Sequence, residues 1–575
     1  MIPTLAEIFE EFNDLDAEDQ SLFLLELGDD LDEFPDSART DENLVHGCQS
    51  QVWLTACISG SGPDSRMQLV ADSDSAIVRG LIVILQAAYS GLTAREIRDF
   101  DIQSVFRALN LQQHISPQRR NGLRGMVERI NSIAAAQVAS CSSSVDSGPN
   151  VAERSRTSVA VTLPVSAAFD VAHIRGQFPV LNRPLAGGIA PVYLDSGASA
   201  QKPQAVIEKQ REVEEQYFAN AHRGTYQLGV RIDEELEGAR SRIASFIDAD
   251  SPDRIIFTPG TTAGLNYIAT GWGRRHVGPG DRILTTIAEH HANFVPWQQL
   301  ARERQAQLQL IPLTDDGRID LAALDELLSA PVRLIAVSGM SNMLGTINPI
   351  AEIAQRARAA GACVVIDGAQ SVPHLPVSVQ QDDVDFLVFS GHKLYGPTGV
   401  GVLYGKAERL DEMDPIFFGG HMIDRVGVSD STWAKAPAKF EAGTAPIVQA
   451  IGLGEAVRWT EEVGLAAIHA HEQSLVRQVF EGLQQIAGLK IFGPGPEHRG
   501  GIVSFCIDGI HPEDLAALLD ERGVFTRHGH HCTMPLHAAL QVTGTTRVSF
   551  AAYNTSTDVE QFLAALQRAV SILRR

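Results

Sequence analysis

Between about residue 254 and residue 405 the chain alternates short apolar runs with amphipathic stretches. "RIIFT", "RILTTI", "LQLIPL", "VRLIAVS", "ACVVID" and "DFLVFS" are each bounded by turn residues. Runs that are apolar throughout, rather than on alternate positions, belong to strands covered on both faces, so the pattern predicts a mostly parallel sheet between helices. The N-terminal part reads differently. "LAEIFEEFNDL", "EDQSLFLLELGDDL" and "LRGMVERINSIAAAQ" carry helical spacing, while "SQVWLTACIS" alternates as a strand does, which predicts a short sheet covered by helices. "AIVRGLIVILQAAYSGL" is the longest apolar stretch; Arg79 interrupts it and it falls short of a bilayer span, so it predicts a buried helix. Residues 139–167 are rich in Ser, Val and Ala, hold no sustained period and contain a Gly-Pro break, the signature of a linker. The expected organisation is a small domain over 1–138, a flexible linker over 139–167 and a large domain over 168–575.

With 575 residues the chain exceeds what a single core serves, in keeping with two domains. A formal net charge of -23 argues against a nucleic-acid backbone as partner, because phosphate binding needs a surplus of Lys and Arg. The first 50 residues hold 15 Asp or Glu against one basic residue, Arg39, read as a solvated helix face. "MIPTLAEIFEEF" is acidic where a signal peptide is basic, so the expected location is cytoplasmic. The six cysteines show no disulfide spacing, which fits a reducing compartment.

In open α/β sheets ligands sit beyond the carboxyl ends of the strands. "RIIFTPGTTAGLNYIA" places Gly260, Thr261 and Thr262 there, at a helix start that suits a phosphate; Thr is also an ordinary N-cap. "ACVVID" ends on Asp367, a carboxylate that needs a cationic partner if buried. "DFLVFSGHKLYGPTGVG" leads from a strand into Ser390, His392 and Lys393. Lysine for a Schiff base, aspartate to keep a pyridine nitrogen protonated and a phosphate cradle, in that arrangement, meet the requirements of pyridoxal 5'-phosphate.

From about residue 168 onward the chain resembles the group II (SufS-type) cysteine desulfurases, fold-type I pyridoxal-phosphate enzymes of the class V aminotransferase superfamily. The resemblance rests on "YLDSGASAQKP", "AHRGTYQLG", "AEHHANFVPWQ", "SNMLGTINP", "VIDGAQSVPH", "SGHKLYGPTGVGVLYG", "KFEAGTAP" and "RHGHHCTMPL". It implies an α/β fold-type I transferase, with a large parallel-rich sheet domain and a smaller C-terminal α+β subdomain. It also implies roles: Lys393 for the Schiff base, Asp367 for the pyridinium, Gln370 for the ring's phenolic oxygen, and His290 stacked on the ring and moving protons. Asn342 lines the pocket, and Thr261, Thr262, Ser390 and His392 hold the phosphate. Thr444 resembles a phosphate contact donated across a homodimer interface of the C-terminal domain. Arg547, with Arg527 beside it, grips the carboxylate of L-cysteine, as a guanidinium fork does.

"TRHGHHCTMP", 526–535, raises three readings. Zinc needs converging ligands, and neighbours in "HGHHC" point in divergent directions. An inert buried cysteine needs an apolar pocket, which glycine and polar neighbours do not make. The third reading, favoured by the resemblance, is a nucleophile: the Cys532 thiolate takes the substrate sulfur as a persulfide and alanine leaves. His528 stands where the family often has a small residue. The short motif implies a cysteine hard for acceptors to reach, hence a dedicated carrier.

Residues 1 to about 138 resemble SufE, the sulfur acceptor that partners these desulfurases, on "HGCQSQVWL", "DSDSAIVRG" and "SPQRRNGL". The resemblance makes Cys48 the acceptor of sulfur from Cys532, with Asp72, Asp74 and Arg119 in matching segments without assigned roles, and iron-sulfur cluster scaffold proteins as onward partners. Taken alone, a cysteine before a strand is most often core. Cys57, Cys363 and Cys506 are read as core, Cys141 as incidental in the linker. A linker of about 28 residues has an r.m.s. span of about 30 Å and keeps the two thiols at an effective concentration up to about millimolar. Rival readings are a selenocysteine lyase and a catalytically inactive sulfur-carrier scaffold.

Overall fold

The computed structural model describes residues 3–13, 15, 17–31, 34–45, 50–59, 66–109, 117–139, 169–222 and 226–574. Two compact units emerge: Met1–Val151 with Ile507–Glu521 and Ala569–Arg575, and Ala152–Cys506 with Arg522–Arg568. All but the first residue of the expected linker, and Cys48 with it, lie outside the described residues.

In the first unit, strands β1 (Val52–Ser59), β2 (Arg66–Ser73) and β3 (Leu92–Thr93) form an antiparallel sheet in the order β1-β2-β3. The helices Leu5–Asn13, Ala17–Leu27 and Pro117–Ala139 lie on the expected stretches. The long apolar stretch is the helix Ala76–Tyr89, started by the Ser75 hydroxyl accepting from the Val78 N–H and buried along most of its length. Val52, Leu54, Met67 and Leu69 pack against Leu81, Ile82 and Leu85 of that helix in one core, each full burial contributing about 1.5–3 kcal/mol. Asp72 is buried and takes Arg39 Nη2 at 2.6 Å, with the Arg39 guanidinium over the Trp53 ring at 5.0 Å. Asp74 accepts the Gln51 N–H at 2.8 Å and so fixes the foot of β1.

The second unit is built on a seven-stranded sheet. Its strands are β5 (Ile255–Thr258), β6 (Arg282–Thr285), β7 (Gln307–Leu310), β8 (Leu334–Ser338), β9 (Cys363–Asp367), β10 (Phe386–Ser390) and β11 (Gly401–Gly405), in the order β5-β11-β10-β9-β8-β6-β7; β4 (Val192–Tyr193) precedes them in sequence and lies elsewhere. All six expected runs are strands. The seventh, β11, lies in a run that reads as a glycine-rich turn, and it is antiparallel to both β10 and β5. Val364 and Ile366 of β9 enter one core and Cys363 and Val365 the other, so alternate side chains serve opposite faces. That double burial is why the strands are apolar throughout.

Beyond the hairpin β12 (Ile423–Val426) and β13 (Ser431–Trp433), a smaller sheet follows in the order β14-β15-β18-β17. Its strands are β14 (Leu489–Phe492), β15 (Ile502–Ile507), β17 (Arg527–Gly529) and β18 (Thr545–Ser549), while β16 (Val524–Phe525) pairs in parallel with β4. This is the expected C-terminal α+β part. His528 sits opposite Thr546 in the β17–β18 ladder, which accommodates the larger side chain without breaking register. Among the described residues no helix is long and apolar enough to cross a membrane.

Candidate active site

The carboxyl ends of β8, β9 and β10 and the turn after β5 open onto a cavity of about 260 Å³. Asp367 ends β9, Ser390 ends β10, and the turn after β10 carries His392 and Lys393 to the same wall. Thr261, Thr262, His290, Asn342 and Gln370 line it as well. From the smaller sheet come Arg527 on β17, Cys532 on the turn that follows and Arg547 on β18. Thr444 is exposed and outside the cavity lining.

Lys393 and Asp367 line the same cavity. Burial pushes the Lys393 ammonium down from its ordinary 10.5 to about 8, Asp367 pulls it up, and Arg547 pushes it down further. The amine is therefore neutral and nucleophilic above about pH 8. Uptake of pyridoxal phosphate by cofactor-stripped protein, followed by absorbance, is expected to quicken as pH rises through about 8; a rise confined to pH 10 and above would contradict this burial. Burial pushes the Asp367 carboxyl up, while the Ala369 N–H at 2.9 Å and Lys393 favour its ionised form. A pyridinium N–H placed against it would add the cation that this carboxylate calls for.

The phosphate end is equally specific. Gly260 has φ 151° and ψ 180°, backbone closed to residues with a side chain, and a Cβ there would stand 3.3 Å from Ser390 Oγ. Ser390 Oγ accepts the Thr261 N–H at 2.9 Å and meets Thr261 Oγ1 at 2.7 Å. Gln370 donates to the Gly197 carbonyl at 2.7 Å, and its Oε1 is buried without a partner. An orphaned acceptor on the wall, a glycine-shaped cradle with hydroxyls at one end and the buried amine and carboxylate fit pyridoxal phosphate.

His290 is neutral: burial, then Lys393, lowers it to about 3, and its Nδ1 accepts the Ala292 N–H at 3.1 Å. The preceding Glu289 is pushed up to about 8 by burial, with its oxygens taken by Thr286 Oγ1 at 2.9 Å and Asn293 Nδ2 at 2.7 Å. A buried carboxyl held by Thr286 and Asn293 thus anchors the segment from which the ring of His290 projects.

The substrate end holds a residue that sequence reasoning missed. Asp195 receives Arg527 in a fork, Nε at 3.0 Å and Nη2 at 2.8 Å, and Arg547 Nη2 at 3.3 Å. It stands 332 and 352 residues from them, so no local pattern reveals it. Arg547 also donates to the Asn342 carbonyl at 2.9 Å, and its buried Nε has no partner. Two guanidinium groups against one carboxylate leave a single positive charge for an amino-acid carboxylate.

Cys532 is exposed, where the sequence implied a thiol hard to reach. It sits on an unusual turn, in which His531 (φ 49°) and Cys532 (φ 59°) are both left-handed, at about 1–2 kcal/mol per residue. Cys363 is buried, and Cys506 is packed in part against the sheet core, as expected of core cysteines. Among the described residues no group of three or more His, Cys, Asp or Glu could hold a metal ion.

Residues 192–562 match the aminotransferase class-V family, and residues 6–134 match the Fe-S metabolism associated domain. A probable cysteine desulfurase of Halalkalibacterium halodurans is 45% identical over 395 residues, 69% of this chain and 97% of that protein. The chain belongs to the class-V aminotransferase family, among the cysteine desulfurases. The desulfurase of Serratia proteamaculans is 45% identical over 71% of this chain and its whole length. Among solved structures, the cysteine desulfurase CsdA of Escherichia coli shares 38% identity with a TM-score of 0.66, covering 70% of this chain and 99% of its own. The apo cysteine desulfurase of Thermococcus onnurineus shares 36%, with a TM-score of 0.67 over 71% and 100%. As a class-V aminotransferase of the cysteine desulfurase kind, the protein is a fold-type I enzyme that uses pyridoxal phosphate, joined in one chain to a SufE domain.

Proposed function

We propose that the protein is a bifunctional cysteine desulfurase and sulfur acceptor, converting L-cysteine to L-alanine and supplying the sulfur to iron-sulfur cluster assembly. The observation that carries this is that Lys393, Asp367, Arg547 and Cys532 line one cavity. When bound, pyridoxal phosphate supplies an electron sink for the substrate's Cα. Arg547 would orient the substrate carboxylate, Asp367 would hold the cofactor's ring nitrogen protonated, and the Lys393 amine would accept the Cα proton. The Cys532 thiolate attacks the substrate sulfur; the S–S bond forms as the C–S bond breaks, and the electron pair of that bond passes to the substrate carbon. Protons returned to that carbon and to Cα complete alanine, leaving a persulfide on Cys532.

Cys48 then attacks the outer persulfide sulfur, which restores the Cys532 thiolate. The linker keeps donor and acceptor together, and an exposed Cys532 is open to such a carrier. Two copies complete each site, with the exposed Thr444 of one reaching the phosphate end of the other. The protein works in the cytoplasm and hands sulfur to scaffold proteins. Incubating the cofactor-loaded protein with free cysteine and a thiol reductant is the test: alanine and sulfide in equal amounts support the reading, and no alanine rejects it.

A further inference from the structure

The segment that carries Cys532 is held in an unfavourable conformation, with left-handed backbone at both His531 and Cys532. The turn is closed within itself by the Thr533 N–H donating to the His530 carbonyl at 2.8 Å, and its place is fixed by neighbours from outside. Asn342 Nδ2 donates to the His531 carbonyl at 2.6 Å. The His531 ring also meets Thr545 Oγ1 at 3.0 Å, and two further grips, on either side of the thiol, come from one residue, His291, which the desulfurase chemistry does not use. Its main-chain N–H donates to the Cys532 carbonyl at 2.8 Å. Its ring Nε2 accepts the Met534 N–H at 3.1 Å.

We propose that His291 is a positioning residue: it clasps the nucleophile turn on both sides of the thiol, and the ring half of the clasp sets the reach of Cys532. This rests on the desulfurase reading for its catalytic consequence, but the clasp itself is a property of the resting protein.

An imidazole nitrogen that accepts from an N–H carries no proton, so the clasping ring is neutral with its hydrogen on Nδ1. Protonation fills Nε2 and opens the ring half, while the main-chain half stays. The ionisable groups around the ring are His530 on the nucleophile segment, His290 beside it, and Arg274 and Glu303 on the wall of a neighbouring cavity of about 440 Å³. Arg274 and Glu303 are paired with each other at 2.8 Å. Burial, then His530, holds the His291 imidazolium below its ordinary range. The clasp is therefore closed above that lowered value and opens as pH falls through it.

The variants separate acceptor from shape. His291→Phe keeps a flat ring and the main-chain donor but has no acceptor; His291→Gln returns an oxygen close to the Nε2 position. In holoenzyme without substrate, His291→Phe is expected to change the rate at which iodoacetamide alkylates Cys532 by at least about threefold, and His291→Gln to restore it. With cysteine present, His291→Phe should slow persulfide formation on Cys532 by about tenfold while KM stays within about twofold, a loss confined to a step after binding. The acid limb that His291 gives the wild-type rate should vanish in His291→Gln. Wild-type alkylation and persulfide rates in His291→Phe, or a His291→Gln as impaired as His291→Phe, would overturn the proposal. An altered alkylation rate in protein whose wild type makes no persulfide would reject the desulfurase reading and keep the clasp.

Discussion

Lys393→Ala is expected to lower alanine formation from cysteine by at least about 10²–10⁴-fold, the contribution of a positioned proton-transfer group. The expectation follows from burial. Lys393 lines the cavity with Asp367 and Arg547, and its ammonium is held near 8 so that the amine can both give and take a proton at working pH. Lys393→Arg should fare no better, because a guanidinium keeps its charge across the whole range and cannot accept the Cα proton. Retention of a tenth or more of the wild-type rate by either variant, measured as alanine formed, would remove Lys393 from the chemistry.

Arg547→Ala has the second largest expected effect. Arg547 is 2% exposed and fixed by Asp195 and the Asn342 carbonyl, with its Nε turned into the site unpartnered. Truncating one partner of a buried charge pair costs about 2–5 kcal/mol, roughly 30- to 5,000-fold in kcat/KM. The loss should fall mainly on KM, since the guanidinium meets a carboxylate present both before and during reaction. Arg547→Lys should recover only part, because an ammonium cannot present the two-pronged fork. An unchanged KM for cysteine in Arg547→Ala would assign this arginine a structural role alone.

How much of this was legible depends on how local each feature is. The six apolar runs and the polar residues at their ends foretold the sheet and where the cavity opens, because double burial and strand polarity are written into five or six consecutive residues. The antiparallel β11 was hidden: its "GVLYG" follows a glycine-rich turn, and glycine weakens the strand signal without preventing a buried pairing. Asp195 was invisible because its meaning comes from arginines more than 300 residues away. The exposure of Cys532 was hidden for a related reason, since its left-handed turn is held by Asn342 and His291 from far along the chain as well as by the local bond from the Thr533 N–H to the His530 carbonyl. For Asp72 and Asp74, unassigned from sequence, the structure adds their contacts: one pairs with Arg39, the other accepts from the Gln51 N–H. The side chain of Arg119 lies outside those described.

The central claim is that sulfur leaves cysteine on one thiol of this chain and arrives on another. Its most direct measurement is mass spectrometry of the cysteine-containing peptides after the cofactor-loaded protein meets free cysteine, in wild type and in Cys48→Ser. A gain of one sulfur on both Cys532 and Cys48 in wild type, and on Cys532 alone in Cys48→Ser, is the predicted result. Two unmodified thiols in the loaded wild type, or sulfur on Cys48 in a Cys532→Ser variant, would contradict it.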